Sequence, residues 1–271
     1  KSKKQNSWLM TNAYQATMVS RPEECSTADN VQTINQSSHP QNRAGSNMTT
    51  AVKICGISSL DIYRHCAELG VDWVGFVFFS ASPRHLPLTQ ARALADAADS
   101  DTQLAVPPRR VALCVDASDD ELTAIIDAAR PDMLQLHGNE TVERVRAIKS
   151  KFSLPVMPVI KVAGRADIER AALFSNCADW VLFDAAPHRE TITNEPNLPG
   201  GMGKSFDWRY LAEAELPLPF MLAGGLTVTN VAQAVNLTNA PCVDVSSGVE
   251  KNRGEKSETA ISAFVKAAKF G

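Results

Sequence analysis

From Val52 onward, short apolar runs alternate with longer stretches in which apolar residues recur every three or four positions. The short runs predict β-strands and the longer stretches predict amphipathic helices. The runs are rich in Val, Ile and Leu without polar alternation, as is typical of parallel strands covered on both faces. The predicted strands are Val52–Cys55, Trp73–Phe78, Arg110–Val115, Met133–Gln135, Val156–Lys161, Trp180–Asp184, Phe220–Ala223 and Val243–Val245. The predicted helices are Leu60–Leu69, Thr89–Ala98, Asp119–Ala129, Thr141–Ser150, Ala166–Ser175, Trp208–Ala214, Val228–Asn236 and Glu258–Ala268.

This alternation indicates the fold class. Eight strands, each followed by a helix, predict an α/β protein: a (β/α)8 TIM barrel that forms a single domain over residues 48–271. A doubly wound sheet is the alternative, because alternation alone does not prove that the sheet closes.

Residues 1–47 have a different character. They are rich in Asn, Gln, Ser and Thr and show almost no periodicity. Such a composition buries too little apolar surface to offset the entropy of ordering. We expect a disordered N-terminal extension or a cloning remnant, with Met48 as a natural start just before the first strand.

Composition and charge exclude several function classes. The 271 residues are 44% hydrophobic and 21% charged, which is ordinary for a globular protein. A net charge of -3 gives no reason to expect nucleic acid or a membrane as partner, and no apolar stretch approaches the roughly 18–20 residues that span a bilayer. The six cysteines form no C-x-x-C pair, which favours reduced thiols in a cytoplasmic protein.

The strand ends carry a thiol and a carboxylate. Cys55 ends the first strand and Asp184 the sixth, so a barrel would place them on opposite sides of its mouth. A base and an acid so placed suit an aldose–ketose isomerisation. Lys53 shares the face of Cys55 and is expected to lower the pKa of the thiol or to bind a carboxylate. The alternatives are a buried core cysteine and an aspartate that caps a helix or lies in a surface loop.

Two further side chains follow predicted strands. Arg84 lies beyond the second strand, where it would suit a substrate carboxylate as a forked pair, although exposed arginines are usually solvated. His137 ends the fourth strand and is a candidate third acid/base or ligand, although a lone histidine more often packs locally. No second His or Cys lies at a metal-binding spacing, so no metal is expected.

Glycines cluster in the last third of the chain. Gly200, Gly201 and Gly203 follow the sixth strand, Gly224 and Gly225 the seventh, and Ser247-Gly248 the eighth. Glycines let backbone N–H groups converge on an anion, and barrels often hold a phosphate after strands seven and eight. The alternative is that each glycine only serves its turn.

Together these segments form an ordered series. They are Lys53-Ile54-Cys55-Gly56, Gly75-Phe76-Val77-Phe78, Ser82-Pro83-Arg84, Gln135-Leu136-His137-Gly138, Phe183-Asp184, Gly200-Gly201-Met202-Gly203, Phe206-Asp207-Trp208, Leu222-Ala223-Gly224-Gly225-Leu226 and Val245-Ser246-Ser247-Gly248-Val249-Glu250. The series resembles the phosphoribosylanthranilate isomerases of tryptophan biosynthesis over residues 51–271.

The resemblance implies an Amadori rearrangement of N-(5-phosphoribosyl)anthranilate to 1-(2-carboxyphenylamino)-1-deoxyribulose 5-phosphate, without metal or cofactor. It implies that Asp184 is the general acid that protonates the furanose oxygen, that Cys55 is the base that takes the C2 proton, and that Arg84 holds the anthranilate carboxylate. Backbone groups around Gly203, Gly225 and Gly248 would bind the phosphate. We expect a small phosphorylated substrate as the ligand, and a monomer.

The sequence departs from the family pattern at two positions. Met202 stands where the family usually has threonine, and Ser257 stands where it usually has aspartate, although serine still caps the last helix. The segment Pro187–Pro199 is longer than a barrel loop needs and is interpreted as a cover over the site.

Two alternatives to the isomerase remain open. A sibling isomerase of histidine biosynthesis is disfavoured, because its chemistry wants aspartate in place of Cys55. A non-catalytic phosphate-ligand or thiol redox-sensing barrel is the other alternative.

Overall fold

The computed structural model describes residues 49–186 and 205–271. The strands are β1 Ala51–Cys55, β2 Trp73–Phe78, β3 Arg109–Cys114, β4 Met133–Leu136, β5 Val156–Val162, β6 Val181–Ala185, β7 Phe220–Leu222, β8 Cys242–Val245, β9 Glu250–Asn252 and β10 Glu255–Lys256. The α-helices are α1 Leu60–Glu68, α2 Leu88–Asp99, α3 Asp119–Ala129, α4 Val142–Phe152, α5 Arg165–Glu169, α6 Arg209–Ala212, α7 Val231–Thr238 and α8 Glu258–Phe270. Two 3-10 turns span Arg170–Phe174 and Ser247–Val249.

Strands β1–β8 form a closed parallel barrel in sequence order. The seam is made by β1 and β8, where Lys53 lies beside Asp244 in the register. Closure confirms the predicted (β/α)8 barrel and excludes the doubly wound sheet.

Successive side chains of each barrel strand point alternately towards the helices and into the barrel interior, so each strand contributes to two cores. In β1, Val52 and Ile54 pack outward against the helices, whereas Lys53 and Cys55 face the barrel interior. A cluster of apolar side chains fills the barrel interior up to the floor of the mouth: Trp73, Val111, Met133, Met157, Leu182, Met221, Ala223 and Cys242. The polar residues at the carboxyl ends of the strands are left to line the mouth.

Helix boundaries follow local capping. Ser257 accepts a hydrogen bond from the N–H of Ala260, which confirms it as the cap of α8. Helix α7 begins at Val231, later than predicted, because the Asn230 side chain accepts from the N–H of Thr227 and donates to the carbonyl of Gly225. These bonds hold residues 225–230 in a turn.

The structure also differs from the prediction in the fifth helix and in the segment after β8. The helix predicted over Ala166–Ser175 becomes the short α5 followed by a 3-10 turn. The antiparallel β9–β10 ribbon between β8 and α8 was not predicted.

Some expectations lie outside the described residues. These concern residues 1–47, the Pro187–Pro199 cover, Gly201, Met202 and Gly203. Within the described ranges, no helix is long and apolar enough to cross a membrane.

Candidate active site

A cavity of about 710 Å³, including space open to solvent, lies at the carboxyl ends of the barrel strands. Its size suits a small-molecule ligand. The structure brings together most of the predicted site residues as its lining: Cys55, Arg84, His137, Asp184, Gly224, Gly225 and Ser247. It is also lined by Gln135, Asp244, Ser246 and the apolar side chains Val77, Phe79, Leu113 and Val115. Lys53 and Gly248 are not in this lining.

Cys55 lies at the end of β1 and is 4% exposed. Its neighbour in the register on β2 is Gly75. A Cβ atom at Gly75 would lie 2.9 Å from the Sγ of Cys55 and 3.1 Å from its Cα. Glycine at this position therefore leaves the space that the thiol occupies.

Lys53 is fully buried, and its Nζ donates to Oδ1 of Asp244 at 2.9 Å. The pair joins the first and last strands across the barrel seam. Burial lowers the pKa of Lys53, but the charge and hydrogen bond of Asp244 outweigh it, and the pKa is raised overall. The lysine thus stays a cation and binds a carboxylate of its own chain.

Burial raises the pKa of the Cys55 thiol above its ordinary value, and this effect outweighs the others. The positive charge of Lys53 lowers this pKa, and the negative charge of Asp244 raises it. The positive charges of Lys256 and Arg84 lower it further. Lys53 thus lowers the pKa of the thiol, as predicted, but burial raises it by more. The thiol is therefore protonated at neutral pH.

Arg84 is held by Glu250. Its Nε donates to Oε1 at 2.7 Å and its Nη2 donates to Oε2 at 2.8 Å, so one edge of the guanidinium group is occupied. The Nζ of Lys256 also donates to Glu250, at 2.7 Å, and to the carbonyl of Ser246. Burial alone raises the pKa of Glu250, but the bonds from Arg84 and the charge of Lys256 lower it to about 2.

Asp184 ends β6 and is 6% exposed. Oδ2 of its carboxylate lies 3.3 Å from Nε2 of His137, within ion-pair distance but without the alignment of a hydrogen bond. The other ring nitrogen of His137 lies 3.3 Å from Nε2 of Gln135. A buried carboxyl group and an imidazole thus meet directly on the cavity wall.

The turn after β7 has the backbone geometry that the glycines predicted. Gly224 and Gly225 have φ values of 85° and 71°, which other residues rarely adopt. Among the described residues, none accepts a hydrogen bond from the N–H of Gly224, Gly225 or Ser247. These donors are available for an anion. Gly248 instead fits against a neighbouring loop, because a Cβ there would lie 2.1 Å from the carbonyl oxygen of Leu226.

Sequence reasoning assigned no role to Gly75, Gln135 and Glu250, although they belong to the ordered series, and it missed Asp244 and Lys256 altogether. One of these residues, Asp244, could have been recognised from the sequence. Asp244 stands alone as a charge within an apolar strand, and a buried charge requires a partner. Within the described residues, no group of three or more His, Cys, Asp or Glu is arranged to hold a metal ion.

Comparison with known proteins agrees with this geometry. A family model described as N-(5'phosphoribosyl)anthranilate (PRA) isomerase matches residues 52–267. An N-(5'-phosphoribosyl)anthranilate isomerase of Rhodopseudomonas palustris strain BisB5 is 46% identical over 222 residues, covering 82% of this chain and 97% of the relative. The enzyme of the same name from Rhodospirillum rubrum is 45% identical over 222 residues, covering 82% and 99%.

Solved structures give the same result. The crystal structure of phosphoribosyl anthranilate isomerase from Thermotoga maritima is 31% identical, with a TM-score of 0.69, and covers 81% of this chain and 98% of that one. A phosphoribosyl anthranilate isomerase in complex with reduced 1-(o-carboxyphenylamino)-1-deoxyribulose 5-phosphate is 28% identical, with a TM-score of 0.65, and the match covers 81% and 98%. The chain belongs to the N-(5'-phosphoribosyl)anthranilate isomerase family.

Proposed function

We propose that this family member isomerises N-(5-phosphoribosyl)anthranilate in the cavity at the barrel mouth, with Asp184 as general acid and Cys55 as general base. One observation carries these roles: a buried carboxyl group on β6 and a buried thiol on β1 line the same cavity. The family match decides against the redox sensor, the binding protein and the histidine-pathway isomerase.

The cavity wall suggests how the substrate lies. Val77, Leu113, Phe79 and Val115 form an apolar surface next to Cys55, suited to the aromatic ring. Arg84 reaches the same cavity, and the edge of its guanidinium that Glu250 leaves free would bind the ring carboxylate.

The other end of the cavity suits the phosphate. Gly224, Gly225 and Ser247 line the cavity there, and their N–H groups, from which no described residue accepts a hydrogen bond, would bind the phosphate oxygens. Gly248 allows its loop to pass close to Leu226 of the neighbouring loop. Gly201 and Gly203 would add their N–H groups to this set. Lys53 does not line the cavity, so it would act through the charge of Cys55 and not by contact with the substrate. The substrate would then span the mouth from β2 to β8.

The chemistry proceeds in two proton transfers. Asp184 protonates the furanose ring oxygen, the bond from this oxygen to C1 breaks, and the nitrogen lone pair forms the C1=N bond. The Cys55 thiolate then removes the proton from C2, and the electron pair forms the C1=C2 bond of an enolamine. The enolamine tautomerises to the keto product.

The proton balance has a consequence for the resting enzyme. The substrate and product are isomers, so each turnover moves one proton from Asp184 to Cys55. The reactive form, with Asp184 protonated and Cys55 ionised, must then be restored by proton exchange. Because burial favours the neutral thiol, this form is a minor population at neutral pH.

Two variants test these roles. We expect Cys55→Ala and Asp184→Asn each to lower kcat by about 100- to 10,000-fold, the usual worth of a positioned acid or base. Both should still bind reduced 1-(o-carboxyphenylamino)-1-deoxyribulose 5-phosphate in a calorimeter. Cys114→Ala and Asp179→Asn are matched controls, since these side chains face the helix layer and the amino end of the barrel. Turnover near wild type in either test variant would refute its assigned role.

Three further expectations remain predictions: a monomer, a cytoplasmic location and the absence of nucleic acid partners. The mass of the purified protein in solution tests the first of these.

A further inference from the structure

Two buried polar side chains beside Asp184 each have an atom without a hydrogen-bond partner. Gln135 is 1% exposed and His137 is 6% exposed, and both line the cavity. Among the described residues, Oε1 of Gln135 and Nε2 of His137 have no hydrogen-bond partner. Such an atom costs about 1–3 kcal/mol, so its retention in a native site points to a task other than stability.

The three side chains form a continuous row. Gln135 lies in β4 and His137 directly follows the strand, and because they are two residues apart their side chains both point into the cavity. Nε2 of Gln135 lies 3.3 Å from Nδ1 of His137, and Nε2 of His137 lies 3.3 Å from Oδ2 of Asp184. The row thus leads from β4 across β5 to the carboxyl group on β6.

The direction of the first bond sets the proton on the ring. An amide N–H that donates to Nδ1 requires a lone pair on that nitrogen, so the neutral ring carries its proton on Nε2. Nε2 lies 3.3 Å from Oδ2 of Asp184, so a small turn of the ring brings this N–H into line with that oxygen. Bonded to Oδ2, it leaves Oδ1 to deliver a proton to the substrate.

We propose that His137 is the positioning residue of the general acid and that Gln135 fixes the tautomer of its ring. This proposal rests on the acid role proposed for Asp184. The ring N–H holds one carboxyl oxygen and stabilises the carboxylate that forms once the proton has been transferred. Contacts of this kind are often poorly aligned in the free enzyme and tighten in the transition state.

A matched pair of variants separates positioning from packing. In His137→Gln the side-chain amide can place an N–H near the position of Nε2, whereas in His137→Asn it reaches only to the position of Nδ1. We expect His137→Asn to lower kcat at least about 10-fold, less than the 100- to 10,000-fold of a residue that itself transfers the proton, with KM changed less than threefold. His137→Gln should recover most of the loss.

His65→Asn is the control, because this ring contacts Glu258 and Ser262 of α8 on the outside of the barrel. Its kcat should equal that of the wild type. Equal kcat values for His137→Asn and His137→Gln would overturn the proposal.

The tautomer has its own readout. In protein with ¹⁵N-labelled histidine, we expect the nitrogen spectrum to show His137 protonated at Nε2, and Gln135→Met to give a mixture of tautomers. A proton on Nδ1 in the wild type would contradict the proposal. If Asp184→Asn is inactive while His137→Asn is fully active, only the positioning role fails. If Asp184→Asn keeps wild-type turnover, the acid role itself fails.

Discussion

Arg84 and Glu250 are joined by two parallel hydrogen bonds, 2.7 Å and 2.8 Å long, although 166 residues separate them along the chain. Glu250 follows β8 and its side chain is 4% exposed. It holds both Arg84 and the buried Lys256. The arginine that would bind the substrate carboxylate is therefore fixed in orientation before any ligand binds.

The ionised form of Glu250 stabilises the fold. Its pKa of about 2 in the folded protein, against 4.5 ordinarily, corresponds to about 3 kcal/mol at neutral pH. Because the folded pKa is the lower one, this stability is complete above pH 4.5 and is lost as the pH falls towards 2. We expect Glu250→Gln to cost about 3 kcal/mol at pH 7, and the cost to shrink between pH 4.5 and 2. Urea unfolding of both proteins across this range measures it.

Glu255→Gln is the control for this series, because Glu255 is half exposed and pairs with Lys251 at the surface. Its cost should be within about 0.5 kcal/mol at every pH. A cost for Glu250→Gln that does not change with pH would show that the charge of Glu250 is not its source.

Gly75 provides the space for the Cys55 thiol. A methyl group there would lie 2.9 Å from Sγ of Cys55, closer than Cβ atoms come to other atoms, and 3.1 Å from its Cα, which is also tight. We expect Gly75→Ala to displace the thiol by a few tenths of an ångström and to lower kcat about 3- to 10-fold, since a 1 Å misplacement costs about 100-fold. Steady-state kinetics on protein with native circular dichroism tests this.

Gly164→Ala is the matched control, because its Cβ would meet nothing within 4 Å and its φ of -162° suits any residue. Its kcat should be unchanged. Wild-type kcat in Gly75→Ala would mean that the thiol position is not critical for the reaction.

The fold was predictable because short local patterns in the sequence determine its strands and helices. Apolar runs such as those of β1 and β2 set the strands, and Ser257 marked the start of α8. The element boundaries that were predicted wrongly depend on contacts that the spacing of apolar residues does not indicate. The start of α7 is set by side-chain bonds of Asn230, and the β9–β10 ribbon has only two or three residues in each strand.

The site was predictable where a side chain stands at a strand end, as Cys55 and Asp184 do. It was not predictable where two distant residues meet. Nothing near Arg84 in the sequence indicates Glu250, and nothing near Lys53 indicates Asp244, because the closure of the barrel brings them together. The charge state of Cys55 also needed the structure, since it depends on burial.

Lys53 and Asp244 act in opposite directions on the Cys55 thiol. Lys53 favours the thiolate, whereas Asp244 favours the neutral form. We expect Lys53→Met to move the pH dependence of Cys55 alkylation to higher pH, because the thiolate loses the cation that stabilises it most. Asp244→Asn should move it to lower pH. Mass analysis of the peptide carrying Cys55 follows the reaction, and buried Cys114, with its pKa raised to about 12, is the internal control.

The same pair also affects stability. Lys53→Met leaves the Asp244 carboxylate buried without its cation, which costs about 3–5 kcal/mol, so the alkylation must be run well below the unfolding transition. The double variant Lys53→Met/Asp244→Asn leaves neither charge buried without a partner and should be more stable than Lys53→Met. A shift of both single variants in the same direction would contradict this account, because two opposite charges cannot move one thiol pKa the same way.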